Sequence, residues 1–410
     1  MKLCIFEDAE FSSLFPLAWT RPVYHLRCGI TLLEEKISAG YQDLETVYHC
    51  RDYIADTLKQ STDKSVNVFD IDDYLLINGR VLYDKSMINI DLNKKGCIYC
   101  SGESEVAAVL PREKSHLLKN YAGQPLNLKE LIDNHLTEQI EADVINYPWD
   151  LISHNPEYIT NDFKRLCPSP AINGKIDTGV HIINNKYVHV ERNAKVKPGA
   201  VLDASEGPIL IDEGAVVMSN AVIEGPAYVG KRSLIKISAK IYEGTSIGEV
   251  CKVGGEVEES IIHSFSNKQH DGFLGHAYLG QWVNIGADTN NSDLKNNYHP
   301  VKVIINGKTI DTGLMFIGLI MGDHSKTGIN TMFNTGTVAG VHSNIYGGGF
   351  PPKYIPSFSW GGADGFVDYD IQKAISTAQA VMARSNIALT EADELLINTI
   401  FDRTVEERRQ

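Results

Sequence analysis

The sequence predicts an α/β domain, then a solenoid of stacked parallel β-strands, then a short helical tail. Strand-like and helix-like segments alternate over residues 1–165, and β-branched residues recur at every sixth position within residues 166–350. Helical patterns return in residues 351–410. A chain of 410 residues has room for two or three domains of this kind.

The clearest pattern is the run of β-branched aliphatic residues, in which small or β-branched residues follow four positions after each member. A period of six fits neither an amphipathic helix nor the alternation of a half-buried strand. It fits short parallel strands in a solenoid, with one side chain in six directed inward. Eight consecutive matches disfavour chance periodicity. They are Ile211, Val217, Ile223, Val229, Ile235, Ile241, Ile247 and Val253.

The rhythm starts before this run and returns after it. Further inward positions are expected at Val190, Val196, Leu202, Phe273, Leu279, Ile285, Met321, Thr327, Phe333 and Ala339. The stretches Ile262–Asp271 and Asp288–Val301 do not follow the rhythm, so they are expected to leave the solenoid as loops. Loops on a rigid scaffold are frequent places for binding and catalysis.

Composition restricts the partners of the chain. A formal charge of −14 and a pI near 5.4 disfavour nucleic acid and anionic membrane, so a phosphate would need a local basic pocket. Cys97 and Cys100 form a lone CxxC, which favours two ordinary strand cysteines over a zinc or redox site. No signal peptide and no membrane-spanning apolar segment is evident, so we expect a soluble, cytoplasmic protein.

The first 165 residues contain the elements of an α/β domain with a mainly parallel sheet. Thr31 and Glu34 stand at the N-cap and capping-box positions of one expected helix. The predicted strands are Lys2–Phe6, Val66–Ile71 and Tyr74–Asn78, and the predicted helices are Thr31–Ile37 and Pro125–Ala142.

Three stretches of this domain resemble sugar-1-phosphate nucleotidyltransferases. They are Leu14–Leu26 (LFPLAWTRPVYHL), Tyr74–Asp84 (YLLINGRVLYD) and Tyr147–Ile152 (YPWDLI), in the order that the family has them. The opening is similar to a divergent bacterial branch in which this domain is fused to an acyltransferase. The resemblance implies transfer of a nucleotidyl group from a nucleoside triphosphate to a sugar-1-phosphate, with Mg²⁺.

The same stretches depart from the family pattern. Glu7–Ser13 contains no glycine where the family has a phosphate-binding glycine-rich loop. Val23 replaces a lysine that contacts phosphate, and Arg80 replaces a metal-binding aspartate. A degenerate domain that binds a substrate without catalysis is therefore the alternative.

Other charged residues are candidates for the lost functions. Arg21 and Arg27 are expected to contact phosphate. Asp84 and Asp150 are the leading Mg²⁺ ligands, because hard cations prefer carboxylate oxygen. Asp8, Asp72 and Asp73 are further candidates, and solvated surface charge is the alternative for all of these aspartates.

The solenoid resembles the left-handed β-helix acyltransferases, and within them the acetyltransferase half of GlmU-like proteins. His270 lies thirteen residues before Val283–Thr289 (VNIGADT), as the family histidine does, and Lys302 and Val303 match a later family strand. The resemblance implies a homotrimer that binds acetyl-CoA between neighbouring solenoids and acetylates an amino-sugar phosphate.

The chemistry of acetyl transfer fits these residues. A near-neutral imidazole can take the proton of the attacking amine, so His270 is the candidate base. Competing histidines are His276 and His324, the latter beside Lys326. The alternative for any of these histidines is a hydrogen bond in a turn or between subunits.

Residues after His270 are candidates for substrate contact. Lys302 is expected to bind phosphate, and the polar stretch around Asn290, Asn291, Asp293 and Asn297 is expected to bind sugar hydroxyls. Here the sequence departs from the family again, which points to a different acceptor. Asp293 replaces an asparagine, Phe273 replaces a tyrosine, and Glu258 and Glu259 replace a lysine pair.

The tail is predicted to contain two helices, Ile371–Arg384 and Glu391–Arg408. Ile371, Ile375, Ala378 and Met382 share one face of the first, and Leu395, Leu396, Ile400 and Phe401 of the second are expected to cover an open end of the solenoid. The leading hypothesis is thus a bifunctional nucleotidyltransferase and acetyltransferase. The alternatives are an acyltransferase with a degenerate N-terminal domain and a non-catalytic trimeric scaffold.

Overall fold

The computed structural model describes residues 1–84, 88–133 and 135–409. The N-terminal domain is built on a seven-stranded mixed sheet, in which Lys2–Phe6 runs parallel to both of its neighbours. The strand order is Ser65–Val66, Glu45–Tyr48, Lys2–Phe6, Tyr74–Asn78, Ser104–Leu110, Cys97–Ser101, Leu136–Gln139. Val81–Leu82 and Asp143–Val144 form a separate antiparallel pair. The predicted α/β fold is confirmed, and Cys97 and Cys100 lie in a strand as expected.

Six α-helices accompany the strands within the described residues. They are α1 (Leu33–Gly40), α2 (Asp52–Ser61), α3 (Leu128–Leu131), α4 (Pro148–Leu166), α5 (Ile371–Ala383) and α6 (Glu391–Arg403). Shorter 3₁₀ segments cover Ala9–Leu14, Val23–His25, Arg112–Tyr121, Asn185–Tyr187 and Glu407–Arg409. None of the helices in the described part of the chain is long and apolar enough to cross a membrane.

Three predicted elements of this domain are wrong in extent. The helix expected over Pro125–Ala142 is one turn, α3, after which Leu136–Gln139 pairs with Cys97–Ser101, because tertiary strand pairing overrides the local helical pattern. The strand expected over Val66–Ile71 ends at Val66. Thr31 is not an N-cap, because α1 begins two residues later and the Thr31 hydroxyl donates to Asp162 at 3.1 Å.

The solenoid has three faces of parallel strands. Face A contains Lys175–Ile176, Lys195–Val196, Val216–Val217, Leu234–Ile235, Lys252–Val253, Asn267–Lys268, Lys326–Thr327, Asn344–Ile345 and Ser359–Gly362. Face B contains His181–Ile183, Val201–Asp203, Val222–Glu224, Lys240–Ile241, Glu256–Glu258, Phe273–Gly275, Asn290–Asn291 and Met332–Phe333. Face C contains Val188–Val190, Ile209–Ile211, Ala227–Val229, Thr245–Ile247, Ile261–Ile262, Tyr278–Leu279, Leu319–Met321, Thr337–Ala339 and Tyr354–Ile355. A final strand, Gly365–Asp368, pairs antiparallel with Ser359–Gly362.

The six-residue repeat forms the interior of this solenoid. All eight residues of the run from Ile211 to Val253 are at most 2% exposed, and the eight residues that follow them by four positions are at most 1% exposed. In-register pairing of Val217 with Ile235 and of Ile235 with Val253 gives a coil of 18 residues, or three hexads. The prediction of a left-handed parallel β-helix is confirmed.

The predicted interruptions are only partly right. Ile262–Asp271 stays in the solenoid, because Ile261–Ile262 and Asn267–Lys268 remain in faces C and A. This coil is shortened to 15 residues, as the pairing of Lys252 with Asn267 demonstrates, and the shortening shifts the rhythm. Consequently Leu274, and not Phe273, packs in the interior.

The chain leaves the solenoid later than expected. Asn290–Asn291 is still a strand of face B, and the excursion covers residues 292–317 before the chain returns at Leu319–Met321. Within it, Lys302–Ile305 and Lys308–Asp311 form a hairpin. Asn306 at the hairpin turn donates to the carbonyl oxygen of Ser12 at 2.9 Å, so the excursion contacts the N-terminal domain.

The N-terminal domain covers the outer side of face C. Several outward side chains of this face are apolar and buried, and they share cores with side chains of the N-terminal domain; examples are Tyr228, Ile261, Tyr278, Ile320 and Val338. Helix α4 contacts three strands of this face. The solenoid and the N-terminal domain therefore form one packed unit.

The tail joins these two parts. Ile375, Ala378 and Met382 of α5 are buried, as the pattern predicts, whereas Ile371 is only partly buried. Thr390 caps α6 with Asp393. The prediction that Leu395, Leu396, Ile400 and Phe401 of α6 cover the end of the solenoid is wrong for the first three residues. Leu396 and Ile400 are buried in the core of the N-terminal domain, where α6 packs on α2, and Leu395 is 62% exposed. Phe401 contacts the ring of Phe358 in the last coil.

Candidate functional sites

The N-terminal domain has an acidic cleft at the carboxyl ends of Lys2–Phe6 and Tyr74–Asn78. Its volume is about 470 Å³, and its wall includes Asp8, Glu10, Arg80, Glu103 and Glu105. Such an edge of an α/β sheet is a usual place for a ligand. Four carboxylates face a single guanidinium here, so the electrostatic field of the cleft is negative.

Arg80 is the central side chain of this cleft. It is 2% exposed, and its guanidinium meets both carboxylate oxygens of Asp8, at 3.0 Å from Nε to Oδ1 and 2.6 Å from Nη2 to Oδ2. Its Nη1 donates to the carbonyl oxygen of Ile145 at 2.9 Å and to Asn146 at 2.8 Å. Because its charge and its donors are engaged, Arg80 ties the strand ends together.

The described residues show no cluster of metal ligands around Asp84 and Asp150, so their expected role in binding Mg²⁺ stays a prediction. Asp150 accepts from the backbone N–H groups of Asn146 at 2.8 Å and Tyr147 at 2.9 Å, so its carboxylate closes the first turn of α4. Burial raises the pKa of Asp150. Asp84 lies next to residues 85–87, which are outside the described part of the chain. Within residues 1–84, 88–133 and 135–409, no three His, Cys, Asp or Glu side chains are arranged to hold a metal.

Arg21 and Arg27 lie away from this cleft, at the junction with the solenoid. Arg21 forms a buried ion pair with Asp323, which also accepts from Thr20 at 2.7 Å. Arg27 lies 3.6 Å from Glu249, and its backbone N–H donates to the Tyr278 hydroxyl at 2.9 Å. Both arginines therefore connect the two domains, and their expected contact with a phosphate group stays a prediction.

On the solenoid, His276 lies between two carboxylates at the turn between the face B strand Phe273–Gly275 and the face C strand Tyr278–Leu279. Its Nδ1 is 2.9 Å from Asp293, its Nε2 is 3.3 Å from Glu259, and its ring stacks on Phe316 at 5.0 Å. Burial disfavours the charged ring, but the two ion pairs outweigh burial and raise the pKa of His276 to about 9. His276 is therefore an imidazolium at neutral pH and cannot accept a proton there.

His270 is exposed at the turn between faces A and B. The turn is fixed by Lys268, whose Nζ donates to the carbonyl oxygens of His270 at 2.5 Å and Asp271 at 3.3 Å. Lys268 is 1% exposed, and burial lowers its pKa to about 8. A Cβ on Gly255 would lie 2.8 Å from this Nζ and 2.6 Å from the His270 oxygen, so glycine is needed beside the turn.

Sequence reasoning missed Lys268. The available signal was its place six residues after Ile262 and six before Leu274, which puts a lysine at an inward position. A charged group there has to find polar partners inside the coil, and backbone carbonyls of a turn can supply them.

The asparagines expected to bind sugar are engaged with the backbone. Asn290 accepts from the N–H of Phe273 at 2.8 Å, and the buried amide of Asn291 makes two bonds to Gly275, at 3.1 and 2.9 Å. They continue the hydrogen-bond ladder of face B. Asn297 is exposed and accepts from the His299 N–H at 3.2 Å, and Lys302 is exposed on the hairpin.

His324 and Lys326 lie on another edge of the solenoid, between faces C and A. His324 stacks between Trp282 and His342, at 6.0 and 4.7 Å, and burial holds the pKa of its ring well below the usual range. Lys326 donates to the His324 carbonyl oxygen at 2.7 Å, and burial lowers its pKa to about 8. The structure thus brings His324 to Arg21 and Arg27, which line the same cavity, and not to His270.

Comparison with known proteins supports the resemblance to bifunctional nucleotidyltransferases and acetyltransferases. Residues 3–169 match the family model described as sugar nucleotidyl transferase. A bifunctional sugar-1-phosphate nucleotidylyltransferase/acetyltransferase of Sulfurisphaera tokodaii is 35% identical over 169 residues, which are 41% of this chain and 40% of that protein. The bifunctional protein GlmU of Methanocaldococcus jannaschii is 30% identical over 226 residues, 53% of this chain and 47% of that protein.

A longer but weaker match is the bifunctional protein GlmU of Methanococcus aeolicus, 25% identical over 327 residues, which are 73% of each chain. Among solved structures, a UDP-N-acetylglucosamine acyltransferase aligns with a TM-score of 0.28 and 13% identity, over 57% of this chain and 96% of that one. The chain spans less than half the length of the first two relatives. The chain thus joins a domain that matches the sugar nucleotidyl transferase model to a hexapeptide-repeat β-helix. The resemblance to divergent GlmU-like proteins is confirmed.

Proposed function

We propose that this chain is a bifunctional transferase of nucleotide-sugar synthesis. The solenoid would transfer an acetyl group from acetyl-CoA to an amino-sugar phosphate, and the N-terminal domain would transfer a nucleotidyl group to a sugar-1-phosphate. The proposal includes a homotrimer, with acetyl-CoA between neighbouring solenoids, and a cytoplasmic location. The observation that carries it is the exposed His270 on a turn fixed by Lys268, in the β-helix that follows the matched domain.

In the acetyl transfer, the amine nitrogen of the sugar attacks the thioester carbonyl carbon, and the carbon–sulfur bond breaks. His270 takes the proton released by the amine and returns it to the thiolate of coenzyme A. Of the histidines considered, His270 suits this role because His276 is already protonated and His324 is buried at the domain junction. Exposed Lys302 remains the candidate contact for the sugar phosphate.

The test is replacement of the proposed base. His270→Ala is expected to lower the rate of acetyl transfer to glucosamine 1-phosphate by about 10²-fold or more. His299→Ala, which removes another exposed imidazole from the excursion, is the matched control and is expected to retain the rate. An unchanged rate in His270→Ala would remove His270 from the mechanism.

In the nucleotidyl transfer, a phosphate oxygen of the sugar-1-phosphate would attack the α-phosphorus, and pyrophosphate would leave. Mg²⁺ belongs to this proposal because metal ions offset the charge on such a leaving group. The described residues include no group of three ligating side chains that could hold this metal. The test is pyrophosphate release from UTP or dTTP by the full chain with sugar-1-phosphates and Mg²⁺.

A second candidate is an acyltransferase whose N-terminal domain only binds a ligand. The ion pair between Arg80 and Asp8 favours this candidate, because it occupies the place where the family has a metal-binding carboxylate. Acetyl transfer without pyrophosphate release would support it. The absence of both activities would support a non-catalytic scaffold.

A further inference from the structure

A cavity of about 360 Å³ lies where the N-terminal domain, the solenoid and the tail meet. Residues 20–35 and α2 form one wall, and the edge between faces C and A forms the second. Residues of α5, α6 and the segment between them close the third side. The cavity shares no lining residue with the acidic cleft, and neither His270 nor His276 lines it.

Four buried nitrogen atoms on this wall have no hydrogen-bond partner among the described residues. They are Nε of Arg21, Nε of Arg27, Nδ1 of His324 and Nε2 of His342. Their side chains belong to residues that are 7%, 4%, 9% and 2% exposed. A buried polar group without a hydrogen-bond partner destabilises the fold, so four of them around one cavity require an explanation.

The four unpartnered nitrogen atoms can donate hydrogen bonds to an acceptor on a bound ligand. A guanidinium Nε–H can only donate, and each neutral imidazole can donate from one of its nitrogens. Four carboxylates line the cavity, and each already accepts a hydrogen bond. Asp323 accepts from Arg21 and from the N–H of Gln281 at 2.8 Å, and Glu249 accepts from Ser264 at 3.1 Å. Glu35 accepts from the N–H of Leu32 at 2.7 Å, and Asp393 accepts from the N–H of Thr390 at 2.9 Å. The hydrogen-bonding capacity left over is therefore that of an oxyanion site.

The rest of the wall is apolar, which favours an organic molecule over a bare ion. Leu58, Met382, Leu396 and Ile397 line it beside the indole of Trp282. Ligand pockets typically combine such a surface with a few polar groups, in volumes from about 300 Å³ upward. A ligand of the size of a phosphorylated hexose matches that volume.

We propose that this cavity binds a small organic oxyanion, a sugar phosphate or a short carboxylic acid, and that the bound ligand holds the three parts of the chain together. Arg21 and Arg27 would meet the anionic group, and the histidine pair would meet neighbouring oxygens. Because the cavity shares no lining residue with the acidic cleft and is not lined by His270, its ligand would be an effector or a structural ligand.

The test measures binding to the full chain by calorimetry and by thermal shift. Glucosamine 1-phosphate, succinate and inorganic phosphate are separate arms, and a ligand that binds the folded chain raises its melting temperature. One organic arm is expected to bind more tightly than inorganic phosphate. Equal binding of inorganic phosphate, or no binding in any arm, would overturn the proposal.

Variants assign the site. His342→Phe keeps the stack on Phe358 and removes the ring nitrogens, and Arg27→Gln removes the charge. Each is expected to weaken binding at least about tenfold, the effect of losing one hydrogen bond to a charged group. His189→Phe is the matched control, because His189 is 7% exposed in the first coils, away from the cavity, and it is expected to keep the affinity.

The readout is independent of catalysis. Binding of glucosamine 1-phosphate at an acetyl-transfer site would survive His342→Phe, whereas binding in this cavity would not. If Arg27→Gln does not fold, His342→Phe decides alone, and an unchanged affinity in it contradicts the proposal. Failure of acetyl transfer or pyrophosphate release in the parent chain leaves this result unaffected.

Discussion

At the scale of single residues, the structure separates histidines that look equivalent in the sequence. His276 is held as a cation between Asp293 and Glu259, His324 is neutral in a buried stack, and His270 is exposed. Their chemical capacities follow from these surroundings, because a partnered cation cannot act as a base. Lys268 belongs to this scale too, since a single buried ammonium fixes the turn that presents His270.

The charge of His276 predicts a dependence of stability on pH. Its pKa is raised from 6.5 to about 9 in the folded chain, so its ion pairs stabilise the fold fully below pH 6.5 and lose this effect as the pH rises through 9. His276→Gln is therefore expected to have a lower melting temperature than the parent chain at pH 6. Above pH 9 the two melting temperatures are expected to be equal.

Thermal denaturation of both chains across this range checks that expectation. The carboxylates that face the ring are Asp293, Glu259 and, at longer range, Glu258. His299→Gln, which replaces an exposed imidazole in the excursion, serves as the control and should leave the melting temperature unchanged. A loss in His276→Gln that does not vary with pH would contradict the assignment of charge.

At the scale of elements, the coil of the β-helix determines which side chains are inside. Each strand contributes an inward residue, and the in-register stacking of strands places equivalent residues above one another. Where a coil is shortened, as between Lys252 and Asn267, the positions of the inward residues shift along the sequence. Counting every sixth residue then no longer identifies them. A local change of turn length thus has consequences for every following strand.

A matched pair of isoleucines tests the interior of the coil. Ile235→Ala removes a side chain that is fully buried, and it is expected to cost about 2–5 kcal/mol through lost burial and the cavity left behind. Ile237→Ala removes the same atoms from a residue that is 59% exposed, so its effect is expected within about 0.5 kcal/mol. Denaturant unfolding monitored by circular dichroism compares the two, and equal losses would contradict the inward assignment of Ile235.

At the scale of the whole molecule, the N-terminal domain, the solenoid and the tail form a continuous unit. The outward residues of face C, the hairpin of the excursion and α6 all pack against the N-terminal domain. Arg21 and Asp323 form a buried ion pair at the centre of this junction, with side chains 8% and 5% exposed. The domains are therefore coupled through polar as well as apolar contacts.

Breaking that pair is expected to weaken the junction. Asp323→Asn leaves the Arg21 guanidinium buried without its counterion, which costs about 3–5 kcal/mol. Because a chain of several domains need not unfold in one step, the first thermal transition is the quantity to measure. Glu256→Gln, which breaks the exposed pair with Lys240, is the control and should not shift that transition. Equal shifts in both variants would show that the buried pair does not hold the domains.

Much of the fold followed from the sequence because local patterns report it directly. A strict six-residue period identifies the inward side of a stacked coil without knowledge of any distant contact, and Lys2–Phe6 and Tyr74–Asn78 read as strands from their composition. The helix expected over Pro125–Ala142 failed because its last part pairs with Cys97–Ser101, a partner about forty residues earlier in the chain. Local preference is a weak guide where such pairing is available.

The sequence by itself determined the domain types, the β-helix and the residues that carry the family resemblance, since these depend on spacing along the chain. The tertiary structure decided what the charged residues do. Arg21 and Asp323 are 302 positions apart, and only folding reveals that they pair and that Arg27 and His324 line the same cavity. Side-chain protonation and hydrogen-bond partners depend on burial and on neighbours in space, which no spacing in the sequence encodes.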